Sequence, residues 1–231
     1  ALKDFHQTYE KVASDDSNVL QSLKTKLVEE TVPPLMLRRL KRDHLPGLPE
    51  KHEELIRVPM PPVQARAYAE WVARGVAARG EQGAMLEILQ GLRSVSLLPA
   101  PLESEGLTDE AVAGSARLTA LMQILDEIHR RGEKALVFLE FLKIQEVLAP
   151  YLQRRYQLPR LPMRITGSVA GHIRKDHVDA FQRQPAGQFD VMLLSPRAGG
   201  VGLTLTAANH VVHLSRWWNP AVEDQCTDRV F

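Results

Sequence analysis

The sequence predicts an α/β fold, a parallel sheet flanked by helices, preceded by a mainly helical N-terminal segment. Three observations predict it. From Ser115 onward, short β-rich runs alternate with stretches of helical spacing, the pattern of a sheet wrapped by helices. Residues 189–194 (Phe-Asp-Val-Met-Leu-Leu) form a nearly unbroken apolar run between turn residues, as expected of a strand covered on both faces in mid-sheet. A glycine-rich turn follows it at once, outside the carboxyl end of a strand, where open parallel sheets gather ligands.

The elements follow in order. Val19, Leu20, Leu23, Leu27 and Val28 share one face of a helix that Pro33 and Pro34 end. A basic knot of Arg38, Arg39, Lys41, Arg42 and His44 leads into residues 45–49 (Leu-Pro-Gly-Leu-Pro), whose prolines force an extended or turning path, a linker. Residues 63–98 return to helical spacing through Tyr68, Trp71, Val72, Met85, Leu86, Ile88, Leu89 and Leu92, broken at Gly80 and Gly83, so at least two helices are expected. Residues 99–114 carry Pro99, Pro101, Gly106 and Gly114 and are expected to be loop, marking a boundary. Beyond it come a helix at 116–131, a strand at 135–139, a helix at about 141–155, a strand at 163–165 ending at Gly167, a helix at 172–182, the 189–194 strand and a strand at 210–214. Asn219-Pro220 reads as an N-cap with proline at the first helical position, opening a helix expected to run to Phe231.

Composition bounds the function. With 231 residues, 44% hydrophobic and 25% charged, the chain suits a globular protein of one large or two small domains. A single cysteine, Cys226, excludes a disulfide framework and a Cys-rich zinc site. No apolar run is long enough to span a bilayer and no leader pattern opens the chain, so the expected setting is cytoplasmic or nucleoid-associated, or nuclear in a eukaryote. The net charge of +1 conceals an asymmetry. Residues 1–114 hold 14 basic against 17 acidic side chains, and residues 115–231 hold 15 against 11. That balance is compatible with a phosphate-binding face on the second part and equally with scattered solvated charge.

The segment with most chemistry is residues 195–208, Ser-Pro-Arg-Ala-Gly-Gly-Val-Gly-Leu-Thr-Leu-Thr-Ala-Ala. Gly199, Gly200 and Gly202 let backbone amides approach an anion, because no Cβ intervenes and positive φ is open to them. Taken alone, Gly-Gly-x-Gly fits a tight structural turn as well as a phosphate contact, and the Gly-x-x-x-x-Gly-Lys-Ser/Thr phosphate loop is absent from the chain.

The order of the surrounding segments adds more. Val137-Phe138, Gly167-Ser168 with Arg174 downstream, Ala198 to Ala207, Trp218-Asn219-Pro220, and Gln225-Cys226-Thr227-Asp228-Arg229 occur in sequence, after Leu37 to Lys41 and Leu48-Pro49-x-Lys51. Together they resemble the Swi/Snf helicase-like ATPases of superfamily two, over most of the chain. The resemblance implies a RecA-like second lobe of an ATP-driven translocase of double-stranded DNA. It implies three parts: residues 1–62 as the end of a first lobe with the inter-lobe linker, 63–114 as a helical protrusion, and 115–231 as the second lobe, cut short in its last motif. ATP and Mg would be held mainly by a first RecA-like lobe lying before Ala1, so the fragment alone is expected not to hydrolyse ATP. Arg229 would be an arginine finger reaching the γ-phosphate, with a second arginine expected just past Phe231. Gly200, Gly202, Gln225 and Asp228 would line the nucleotide side. Gly167, Ser168, Ser195 and Arg197 would follow one DNA strand. The expected partners are double-stranded DNA and the first lobe, with the protein monomeric. Residues 139–141 (Leu-Glu-Phe) depart from the family's usual Ser-Gln-Phe, Thr204 stands where asparagine is frequent, and Ser215-Arg216 replaces a common acidic position.

Other residues have plainer readings. Arg38 to Arg42 fit a solvated turn at least as well as a DNA contact. Trp217 and Trp218 fit packing better than base stacking. His210 and His213, three apart on a strand, point to opposite faces and suit structural roles rather than a metal pair. Asp176 and Asp179 share a helix face and suit solvation, and Cys226 suits burial. Other functional classes are a strand-separating helicase lobe and a non-catalytic nucleotide-fold module. A dinucleotide enzyme is disfavoured, because the glycine loop follows a late strand with no acidic residue placed for a ribose.

Overall fold

The computed structural model describes residues 17–30, 32–33, 50–79, 83–100, 106–196, 204–217, 219–228 and 230. The chain divides into two compact units, Ala1–Glu53 and Glu54–Phe231. In the first, α1 spans Ser17–Val28 and buries none of its residues. Leu23, Leu27 and Val28 are half-buried, whereas Val19 and Leu20 are exposed. The basic knot and most of the proline-rich linker lie outside the described residues.

The second unit contains α2 (Pro62–Ala77), α3 (Ala84–Leu97), α4 (Asp109–Ala113), α5 (Ala116–Arg130), β1 (Lys134–Phe138), α6 (Leu142–Tyr156), β2 (Met163–Ile165), α7 (Gly171–Arg183), β3 (Asp190–Leu194), β4 (His210–His213) and α8 (Pro220–Thr227). The four strands form one parallel sheet in the order β2-β3-β1-β4. β1 and β3 occupy the middle, and every residue of both is buried. Period-two alternation divides their side chains between two cores. Ala135, Val137, Leu139, Val191 and Leu193 pack with Leu118, Leu121, Leu125, Leu148 and Leu152 of α5 and α6. Leu136, Phe138, Met192 and Leu194 pack on the opposite face with Phe181 of α7 and Cys226 of α8.

Three expectations are corrected. Residues 99–114 contain a helical turn, α4, because the Thr108 hydroxyl accepts from the Ala111 amide and two acidic residues occupy its first turn. β1 begins at Lys134, not Ala135; its ammonium donates to the carbonyls of Phe181 (3.2 Å) and Gln184 (2.6 Å), so an apolar run understated the strand. The last helix stops at Thr227, with Asp228 as its C-cap, rather than running to Phe231.

The helices α2 and α3 bury less than their apolar spacing suggests. Val72, Met85 and Leu86 are exposed, while Ile88, Val95 and Leu97 are buried. The two helices approach closely at Gly91, where a Cβ would overlap the Trp71 ring. Gln64 ties them to α5. Fully buried, it donates to the Val95 carbonyl at 2.9 Å and accepts from the Ala116 amide at 3.0 Å, satisfying a first-turn amide of α5. Replacing it by leucine strands both groups, and the Gln64→Leu variant should lose about 2 kcal/mol in urea unfolding.

Asp126 of α5 accepts from Arg155 (2.8 and 3.2 Å) and from the Tyr156 hydroxyl (2.8 Å). Burial alone would raise its pKa, but these hydrogen bonds outweigh burial and hold the carboxyl below its ordinary value. A lowered folded-state value contributes stability above the ordinary carboxylate range that is lost as pH falls through the folded value. The stability gap between wild type and Asp126→Asn should therefore be constant above about pH 5 and shrink below about pH 4. Equilibrium unfolding across that range measures it.

Candidate functional site at the carboxyl edge

Because all four strands run the same way, their carboxyl ends share one edge, and the connections leaving that edge carry the singled-out segments. The ladder is stitched past the strands themselves. The Leu139 amide donates to Leu194 O at 2.9 Å, Ser195 N to Ile165 O at 2.9 Å, and Leu214 N to Phe138 O at 3.0 Å. Glu140, Thr166, Ser195 and Ser215 are thereby brought to one rim.

After β2, Gly167 and Ser168 are exposed in a tight turn. Thr166 Oγ1 and Ser168 Oγ lie 2.9 Å apart, and Arg174 folds back on the turn, donating to Val169 O at 2.7 Å and Gly167 O at 3.0 Å. The guanidinium thus shapes the turn. α7 begins directly beyond, and its N-cap Ala170 offers no side-chain acceptor, so first-turn amides remain available to an anion. A groove of about 500 Å³ runs beside the turn, bordered by Ser168, Val169, Ile173 and His177.

After β3, Ser195 is buried. Arg197, Gly200 and Gly202 lie outside the described residues, as do Arg229 and Trp218. Both flanks of the glycine-rich segment are fixed. Cys226 Sγ of α8 donates to Pro196 O at 3.6 Å on the entry side. On the exit side Gln182 of α7 donates to Thr204 O (3.4 Å) and Thr206 Oγ1 (3.2 Å) and accepts from the Ala207 amide (2.7 Å). Leu205 and Ala208 join Cys226 in the same core.

After β4, α8 opens as expected, the Asn219 side chain accepting from the Ala221 amide at 3.0 Å with Pro220 at the first position. It is fastened to the sheet twice more. Glu223 accepts from the Trp217 amide (2.6 Å) and pairs with Arg216 (2.9 Å), and Thr227 bonds His213 Nε2 at 2.9 Å. His213 also stacks on Phe138, with centroids 5.3 Å apart, whereas His210 pairs with Glu133 at the other end of the strand. Gln225 is exposed on α8 and Asp228 is exposed at its C-cap. Asp176 is exposed, and Asp179 pairs with Arg183 at 3.5 Å.

Sequence reasoning missed Gln182, Arg93 and Arg117. Arg93 of α3 bonds the Glu140 carboxylate, and Arg117 of α5 donates to Leu214 O at 3.1 Å. Burial and then the charge of Arg93, partly offset by Tyr68, lower the Arg117 pKa. Each of these contacts spans more than 20 residues, so no local pattern signals it.

Comparison with known proteins decides the lineage. Residues 116–231 match the helicase conserved C-terminal domain, and residues 2–100 match the SNF2-related domain. The chain belongs to the Swi/Snf family of helicase-like proteins. It is 32% identical to a putative ATP-dependent helicase/translocase, YwqA, of Bacillus subtilis, over 88% of this chain and 22% of that protein. It is 30% identical to the ISWI chromatin-remodeling complex ATPase CHR11 of Arabidopsis thaliana, over 94% of this chain and 20% of that protein. The chain therefore spans about a fifth of the length of these relatives. Among solved structures, the Sulfolobus solfataricus SWI2/SNF2 ATPase core in complex with dsDNA superposes with a TM-score of 0.64 at 25% identity, covering 100% of this chain and 48% of that one. The C-terminal part of the Fun30 ATPase domain gives a TM-score of 0.65 at 17% identity, covering 80% and 81%. The sheet is thus the RecA-like sheet of a Swi/Snf core.

Removing the Gln182 amide should loosen the exit of the glycine-rich segment without unfolding α7. In Gln182→Ala, amide exchange at Ala207 should rise about tenfold, the equivalent of one hydrogen bond, while amides in the middle of α7 keep their protection.

Proposed function

We propose that this chain is the second motor lobe, with its approach segment, of an ATP-driven translocase of double-stranded DNA. The observation that carries the proposal is the convergence of the Gly167-Ser168 turn, both flanks of the glycine-rich segment and α8 on one edge of a Swi/Snf-type sheet. The dsDNA bound by the Sulfolobus solfataricus relative supports duplex DNA as the partner.

In this reading residues 1–62 complete a first lobe and the linker, 63–114 form a helical protrusion, and 115–231 form the second lobe. The exposed Gly167 and Ser168, with the open amides of α7, grip DNA phosphates; Ser195 supports that turn through its bond to Ile165 O, and Arg197 adds charge. Such contacts read no bases, so movement is indifferent to sequence. ATP with its Mg is held mainly by the first lobe. Gly200, Gly202, Gln225 and Asp228 complete the nucleotide cleft from this side, and Arg229 neutralises charge developing on the γ-phosphate. Closure of the cleft on ATP and its reopening then alternate the grip on DNA.

The test is DNA-stimulated ATP hydrolysis by the full-length protein. Arg229→Ala should lower the turnover about 10³-fold or more while duplex binding persists. Unchanged stimulation in that variant would refute the finger, and efficient release of a labelled strand by the wild type would replace translocation with unwinding.

A further inference from the structure

We infer that Arg93 and Glu140 are positioning residues, an ion pair through which helix α3 fixes the β4–α8 connection and with it the helix that carries Gln225. The inference rests on the motor reading above. Arg93 lies 47 residues before Glu140, and its Nη2 both bonds the Glu140 carboxylate at the end of β1 and reaches Arg216 O at 3.4 Å. Beside it, Arg117 holds Leu214 O. Two guanidiniums from helices upstream of the sheet therefore clamp two carbonyls of one short connection, 214 and 216.

The residue between them is held through its backbone, its amide donating to Phe138 O at 3.4 Å. Ser215 is 4% exposed, and among the described residues its hydroxyl has no hydrogen-bond partner, so its own side chain does not anchor the connection. The grip continues beyond it. Arg216 pairs with Glu223, and Glu223 accepts from the Trp217 amide, so a line of charge-assisted hydrogen bonds leads from α3 to the first turn of α8. The two side chains of the Arg93–Glu140 pair are each only 30% exposed, whereas the Arg183 side chain of the surface pair Arg183–Asp179 is 79% exposed. Partial exclusion of water strengthens the first pair relative to the second. The planar guanidinium holds the N–H bonds of Nη2 in fixed directions toward acceptors on two different elements.

Loss of the pair should misplace α8 without removing any group that touches nucleotide or DNA. In the full-length protein at saturating duplex DNA, Arg93→Ala and Glu140→Ala should each lower kcat about tenfold or more. KM for ATP, DNA affinity and melting temperature should stay near wild type. The charge-swapped double R93E/E140R should remain slow, because a carboxylate at position 93 has no proton to give the Arg216 carbonyl, and Arg93→Lys should keep only a minor part of the turnover. Wild-type kcat in both alanine variants would overturn the inference, as would full turnover in the swapped double, which keeps the ion pair but lacks a donor for the Arg216 carbonyl. A fall in kcat matched by an equal loss of DNA-binding-competent protein would likewise reduce the pair to a folding role. Should Arg93→Ala fail to fold, Glu140→Ala carries the test. A wild type without DNA-stimulated hydrolysis would remove the motor reading itself, an outcome distinct from wild-type behaviour of the variants.

Discussion

The parallel hydrogen-bond ladder that continues one residue past β1, β3 and β4 is the constraint on which the remaining arrangement depends. Phe138 O accepts from both Leu214 N and Ser215 N, and Ile165 O accepts from Ser195 N. Each strand exit is thereby tied to its neighbour before the chain turns away. In an antiparallel sheet, successive connections would alternate between two ends. Here they emerge together, and residues separated by more than 70 positions share one rim.

Burial of β1 and β3 on both faces sets the second condition, because a sheet without a solvated face needs a helical layer on each side. α5 and α6 cover one face. α7 and α8 cover the other, and they also supply Gln182 and Cys226, the side chains that hold the exit and entry of the glycine-rich segment. Core packing and site geometry are thus served by the same two helices. The segment is pinned at its two flanks, at Pro196 and at Thr204 to Ala207, by these side chains.

Much of this was legible from residues alone. The apolar run 189–194 revealed a central strand, Asn219-Pro220 revealed the start of a helix, and the ordered motifs revealed the family. Charge and apolarity misled where tertiary contacts override local pattern. Lys134 begins a buried strand because two helix-end carbonyls solvate its ammonium, and Met85 and Leu86 lie exposed although their spacing suggests a core face. The clamps were invisible for a different reason. Arg93, Arg117 and Gln182 look like ordinary polar residues of amphipathic helices, and their importance appears only when a carbonyl or carboxylate from a distant strand exit lies within reach.

Cys226, the chain's single sulfhydryl, is wholly enclosed between α8 and the strand exit at Pro196. An alkylating reagent reaches it when the packing around that helix opens. The lobe therefore carries its own reporter: labelling kinetics at one native side chain count the openings of the layer that frames the glycine-rich segment, with no foreign probe added.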